Sequence, residues 1–177
     1  MNYFTYYNIP VSFYPDEKLL RSKYYELSRK YHPDFYVNEP EEKQQEVLEQ
    51  ATFNTNAYRT LSDFDKRMQY MLQSHHLLEE KSTNELPGSF LMEMMELNEQ
   101  LMELEFDFDP EVYQRVKQEF EEVLERLETQ TEPLLRQYEQ LNEAEKQEAL
   151  KKIKTYYLKK KYLLRIQETI TKFASQS

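Results

Sequence analysis

Three histidines are the first residues to weigh for chemistry: His32, His75 and His76. His75 and His76 are adjacent, so on a helix they point in different directions and make a poor metal pair. Paired carboxylates such as Glu121–Glu122 are common in a chain with 33 acidic residues and mark no acid–base site. There is no cysteine, which excludes disulfides, zinc–thiolate sites and an iron–sulfur cluster held by this chain's own thiolates. The single glycine cannot build a glycine-rich phosphate cradle. No constellation of nucleophile, base and orienting group emerges, and neither a metal nor a cofactor is expected. What remains is His32–Pro33–Asp34. Pro33 fixes the backbone, the imidazole donates and accepts, and the carboxylate suits a cationic partner. That is chemistry for recognition, and no nucleophile lies near it in sequence.

The elements around the tripeptide give it a setting. Asp16 and Glu17 open a segment in which Leu20, Tyr24, Leu27 and Tyr31 make one apolar stripe at helical spacing. Pro33 ends it, because it lacks an amide donor and pushes His32 out of the helical region. A polar connection, Phe35 to Asn38, is expected next. Pro40 then opens a second helix, with Val47, Ala51, Asn54 or Thr55, Tyr58 and Leu61 on one face. The tripeptide therefore lies in the loop of a helical hairpin. Ser62–Asp63 reads as a break or a new cap before a shorter helix carrying Met68, Met71 and Leu72. Four aromatics near the start, Tyr3, Phe4, Tyr6 and Tyr7, suit packing on this unit or on the later helices.

Residues 79–88 hold the one glycine among turn formers and read as a linker between domains 1–78 and 89–177. Ser89 is placed to cap a helix over about Phe90 to Glu105. Asp109–Pro110 is a strong restart. Pro133 is expected to kink or end that helix near Thr131. Asn142 with Glu145 forms a capping box for a last helix reaching about Phe173. An all-α chain follows: a helical hairpin with short flanking helices, then a three-helix bundle.

Charge is uneven. Residues 79–150 carry 6 basic and 21 acidic groups, and residues 151–177 carry 8 basic and 1 acidic. The acidic middle disfavours nucleic acid. The basic end is read as a helix lying against acidic neighbours, with nucleic-acid or membrane binding as the alternative. No apolar run approaches a membrane span, and MNYFTYYNIP lacks a signal peptide's basic and apolar regions. A soluble cytoplasmic protein is expected.

The helix after the linker has a surplus of apolar residues. Phe90, Met94, Leu97, Leu101 and Leu104 share one face. Leu91, Met92, Met95 and Met102 fall on a neighbouring face bordered by Glu96 and Glu99. One narrow stripe cannot hold both sets. The second set is either buried in a central helix or presented to a partner.

His32–Pro33–Asp34, preceded by Tyr24–Tyr31 and followed by Ala57–Asp63, Lys66, Arg67 and Tyr70, resembles a J-domain over about residues 3–72. That resemblance implies stimulation of a DnaK-type ATPase, with the tripeptide and a basic face (Arg21, Lys23, Arg29 and Lys30) docking on it. Phe35 stands where a lysine usually follows, and Tyr25 and Glu26 stand where bases are frequent, which implies a dedicated partner. The linker and the Phe90–Leu101 pattern, F-L-M-E-x-x-E-L-x-E-x-L, are in turn similar to the HscB family of iron–sulfur cluster co-chaperones. This implies an HscA-like ATPase and an iron–sulfur scaffold protein (IscU-like) as partners. It places the scaffold on Leu91, Met92, Met95, Glu96 and Glu99, with Tyr156 or, preferred, Tyr157 contributing from the last helix. A monomer is expected, with Met95 and Met102 able to support weak self-association. A J-protein for another client and a purely structural helical protein are the competing readings.

Overall fold

The computed structural model describes residues 2–78 and 85–173. Helices make up every regular element among them: α1 (Tyr3–Tyr7), α2 (Glu17–Lys30), α3 (Glu41–Leu61), α4 (Phe64–Ser74), α5 (Gly88–Phe106), α6 (Pro110–Gln137) and α7 (Glu143–Phe173). Two 3-10 turns, Pro33–Tyr36 and Tyr138–Gln140, complete the order. The all-α expectation is met. The chain divides into two compact units. One is residues 1–74 with Tyr138–Gln140; the other is residues 75–137 and 141–177. Residues 79–84 of the expected linker lie outside the described residues.

In the first unit α2 and α3 form the hairpin, and α1 and α4 flank it. Asp16 caps α2 by accepting the Lys18 and Leu19 amides at 2.9 and 3.0 Å. Asp63 caps α4, accepting the Lys66 amide at 2.9 Å, and that bond holds its carboxyl below the usual range. Tyr24 stacks on Tyr58 across the hairpin with centroids 4.2 Å apart. Buried Asn54 ties three helices together. Its amide nitrogen donates to Tyr24 O at 3.1 Å and Ser28 Oγ at 3.0 Å, and its Oδ1 accepts the Tyr7 hydroxyl at 2.8 Å. Sequence periodicity left Asn54 and Thr55 as alternatives; Asn54 is the inward one and Thr55 is exposed.

The N-terminal aromatics pack within this unit. They form the short helix α1, which periodicity did not reveal. Tyr3 stacks on Tyr70, and Tyr3 and Tyr6 meet Phe53 edge-on. Burial pushes the Tyr6 hydroxyl up to about 12, with Tyr31 adding to it, and pushes Tyr7 up further. Buried Arg67 donates to Phe13 O at 2.9 Å and to Leu61 O, joining the end of α3 to the strap before α2. Its pKa is lowered by desolvation.

In the second unit α5, α6 and α7 pack pairwise. Asp109 caps α6 through the Glu111 amide at 2.8 Å. Asn142 and Glu145 form the expected capping box on α7, with reciprocal bonds of 2.9 and 3.0 Å. One local expectation fails, and of a second, that Pro133 kinks or ends its helix near Thr131, the ending is not seen. The helix after the linker opens at Gly88 with Pro87 in the cap position, so Ser89 lies in the first turn and caps nothing. Pro133 lies inside α6, which continues to Gln137. Pro133 has no amide to donate to the preceding turn, yet the apolar face runs on through Leu127, Thr131 and Leu135, and that burial outweighs the loss.

Two candidate docking surfaces

The first surface is the turn that closes the hairpin. The end of α2 is tied by the Tyr31 amide to Leu27 O at 2.9 Å. His32 then takes an extended backbone, φ −74° and ψ 123°, as a residue before proline must. Pro33–Tyr36 is a 3-10 turn that opens the connection expected over Phe35 to Asn38. His32 Nδ1 accepts the Asp34 amide at 3.3 Å, and the Phe35 amide donates to His32 O at 3.1 Å. The Asp34 carboxylate stands 3.7 Å from Nδ1.

Three bonds hold this turn from behind. The Tyr36 hydroxyl donates to Lys30 O at 2.8 Å, and the Gln44 side-chain amide on α3 donates to Glu39 O at 2.8 Å and Val37 O at 3.3 Å. His32, Pro33 and Asp34 are nonetheless exposed. The tripeptide is thus ordered by the backbone behind it and open in front.

The four basic residues proposed to accompany it divide between two faces of α2. Arg21 and Arg29 lie two turns apart with Tyr25 between them, and the Arg21 guanidinium sits 5.8 Å from the centre of the Tyr25 ring. Lys23 and Lys30 lie on another face. Lys23 pairs with Glu26 at 3.3 Å, and Lys30 rests over the Tyr31 ring at 5.1 Å.

The second surface is on α5. Phe90, Met94, Leu97, Leu101 and Leu104 are buried, as the spacing predicts. The second apolar set is exposed: Leu91 by 38%, Met92 by 67%, and Met95 and Met102 each by 60%. Glu96 and Glu99 are exposed among them. The flanks of α5 explain why this face is free. On one side Glu93 pairs with Arg126 and Gln100 bonds Glu119 at 3.1 Å, both partners on α6. On the other Asn98 bonds the Tyr162 hydroxyl at 3.3 Å, and Phe90 meets the Tyr162 ring edge-on, both partners on α7. Two neighbours occupy two sides, and Met92, Met95 and Glu99 take the third. On α7, Tyr156 is buried and Tyr157 half-buried. Tyr162 of α7 is brought against α5, a residue that sequence reasoning did not single out. Nothing in the local pattern distinguishes it, since the choice depends on how α7 is rotated against α5.

The ion pairs of α7 include Lys146–Glu143 at 3.1 Å and Lys151–Glu148 at 2.6 Å, both within the helix. Lys159 sits over the Phe90 ring at 5.1 Å. Among the described residues no group of carboxylates and histidines is arranged to hold a metal ion, and no helix is long and apolar enough to cross a membrane.

Comparison with known proteins places both surfaces in recognised domains. Residues 3–70 match the DnaJ domain, and residues 86–171 match the HSCB C-terminal oligomerisation domain. Co-chaperone protein HscB of Buchnera aphidicola subsp. Acyrthosiphon pisum, in strains Tuc7 and APS, is 37% identical over 102 residues. That alignment takes in 57% of this chain and 59% of the relative, so it spans less than two thirds of the relative's length. The crystal structure of human co-chaperone protein HscB superposes with a TM-score of 0.67 at 24% identity, covering 97% of this chain and 81% of that one. Chaperone HscB from Vibrio cholerae gives a TM-score of 0.57 at 26% identity, covering 96% and 99%.

Proposed function

The chain belongs to the HscB family, and on that footing we propose that it is a two-sited co-chaperone for iron–sulfur cluster assembly, working in the cytoplasm. The first unit recruits a DnaK-type, HscA-like ATPase through His32, Pro33 and Asp34, aided by Arg21, Lys23, Arg29 and Lys30. The second holds an iron–sulfur scaffold protein on Leu91, Met92, Met95, Glu96 and Glu99, with Tyr157 or Tyr162 from α7. The observation that carries this reading is the open face of α5. A bundle needing only a core would have no use for Met92 and Met95 in water beside carboxylates.

The mechanism is a shift in population. The tripeptide must bind the ATPase's hydrolysing, substrate-clamping state better than its other state, for equal binding would shift nothing. A scaffold held on the same chain meets that ATPase at raised effective concentration. The chain itself makes and breaks no covalent bond; ATP belongs to the chaperone and the cluster to the scaffold.

The test is the ATPase rate of an HscA-like chaperone with the full chain, with and without scaffold protein. Stimulation by the chain, increased by scaffold and lost in His32→Gln, supports the reading. An unchanged rate with wild-type chain removes it. The exposure of Met95 and Met102 favours a second use of the same face, weak self-association. Scaffold protein would then dissociate any dimer seen in sedimentation.

A further inference from the structure

The tripeptide's neighbour Phe35 is 73% exposed, and Val37 beside it 63%. Two large apolar residues in water at a hairpin tip are a cost unless something covers them. They are not on a loose loop. Phe35 is inside the 3-10 turn, its amide bonded to His32 O at 3.1 Å. The residue after it, Tyr36, is anchored to Lys30 O, and the Val37 carbonyl is held by Gln44. The Phe35 ring lies against the His32 ring, with centroids 5.6 Å apart. Leu48, one turn beyond Gln44 on α3, is also half-exposed at 51%.

We infer that Phe35, supported by Val37, is an apolar anchor that enters a hydrophobic socket on the DnaK-type ATPase beside the site that receives His32 and Asp34. This rests on the co-chaperone reading above and adds to it the chemistry of the partner's surface. The occupant follows from continuity. A partner seated on His32 and Asp34 must also cover a ring in contact with His32 and one residue beyond Asp34. Arg21 and Arg29 on α2 add that the partner carries acidic groups as well. The partner surface is therefore an apolar pocket with an acidic border, not a uniformly acidic patch. Rigid presentation matters here, because an aromatic side chain already held in place loses little freedom on docking.

The experiment titrates full-length wild type, Phe35→Lys, Phe35→Leu and His32→Gln against the HscA-like ATPase and reads the concentration giving half-maximal stimulation. Burial of most of a phenylalanine side chain corresponds to about tenfold in affinity. Phe35→Lys is expected to need about tenfold more protein for half-maximal stimulation and to reach the wild-type plateau. Phe35→Leu is expected to stay within about threefold of wild type, because the socket still receives an apolar group. Phe35 is solvent-facing, so all variants should keep the wild-type circular dichroism. A Phe35→Lys titration that overlays the wild type overturns the anchor. So does a Phe35→Leu defect as large as that of lysine, which would mean that the ring serves only to orient His32. If wild type and His32→Gln are equally inert, the co-chaperone reading falls and the anchor falls with it.

Discussion

Replacing Leu91 and Met92 by alanine separates binding from folding on the face of α5. Full burial of a leucine or methionine side chain is worth about 1.5–3 kcal/mol. Leu91 is 38% exposed and Met92 67%, so only that part of each remains for a partner to cover. Scaling by exposure, and leaving the alanine methyls in place, gives about 2 kcal/mol for the pair, or about 30-fold in affinity. The fold should lose only about 1 kcal/mol, from the part of Leu91 that is already covered. Neither side chain belongs to the stripe formed by Phe90, Met94, Leu97, Leu101 and Leu104, and alanine is the best helix former. The assay is calorimetric titration of the scaffold protein into the full chain, with urea unfolding of both proteins as control. The contrast is Met94→Ala. That side chain is fully buried one turn along the same helix, and its loss should cost about 2–5 kcal/mol of bundle stability. The reasoning is refuted if the double alanine variant binds within threefold of wild type. It is equally refuted if the variant loses stability as Met94→Ala does.

Two predictions concern the unit that carries the tripeptide. Asn54→Leu removes three side-chain hydrogen bonds joining α1, α2 and α3, each worth about 1 kcal/mol. Urea unfolding of the full chain should show a loss of about 2–3 kcal/mol, and a loss below about 0.5 would show that the network is dispensable. Tyr6 has a buried hydroxyl with no hydrogen-bond partner among the described residues, so Tyr6→Phe should be neutral or stabilise by about 1 kcal/mol. Its folded-state pKa is raised by burial to about 12, above the unfolded value near 10. Wild-type stability is therefore full below pH ~10 and falls as pH rises toward 12, where the unfolded chain gives up a proton that the folded chain keeps. Unfolding midpoints measured from pH 9 to 11.5 should decline less steeply for Tyr6→Phe.

What could be read from sequence and what could not divides along the range of the interactions involved. Asp16, Asp63, Asp109 and the Asn142–Glu145 pair act on amides two or three residues away, so residue type and spacing suffice to place them. The two apolar sets of α5 are likewise a matter of 100° per residue. α1 has five residues, too few for a period to show, and exists because Phe53, Asn54 and Tyr70 receive its aromatics. Pro133 is a strong local signal for an ending, yet burial on both sides of it carries α6 through. Ser89 has the right chemistry for a cap, but the helix already begins one residue before it.

The exposed face of α5 belongs to the same class, and it is the face proposed to hold the scaffold protein. Sequence shows that the helix has more apolar surface than one core face can take, and shows nothing of how many neighbours it has. With α6 and α7 as its bundle neighbours, the core face is filled by Phe90, Met94, Leu97, Leu101 and Leu104, and Met92 and Met95 stay in water. A fourth helix on that face would have turned the same residues into core without changing a letter of the sequence. The scaffold-binding proposal therefore stands on the packing of the bundle and not on the composition of α5. This is why exposed Met92 and Met95, and not the methionine-rich pattern itself, are the positions at which substitution should weaken binding while leaving the fold intact.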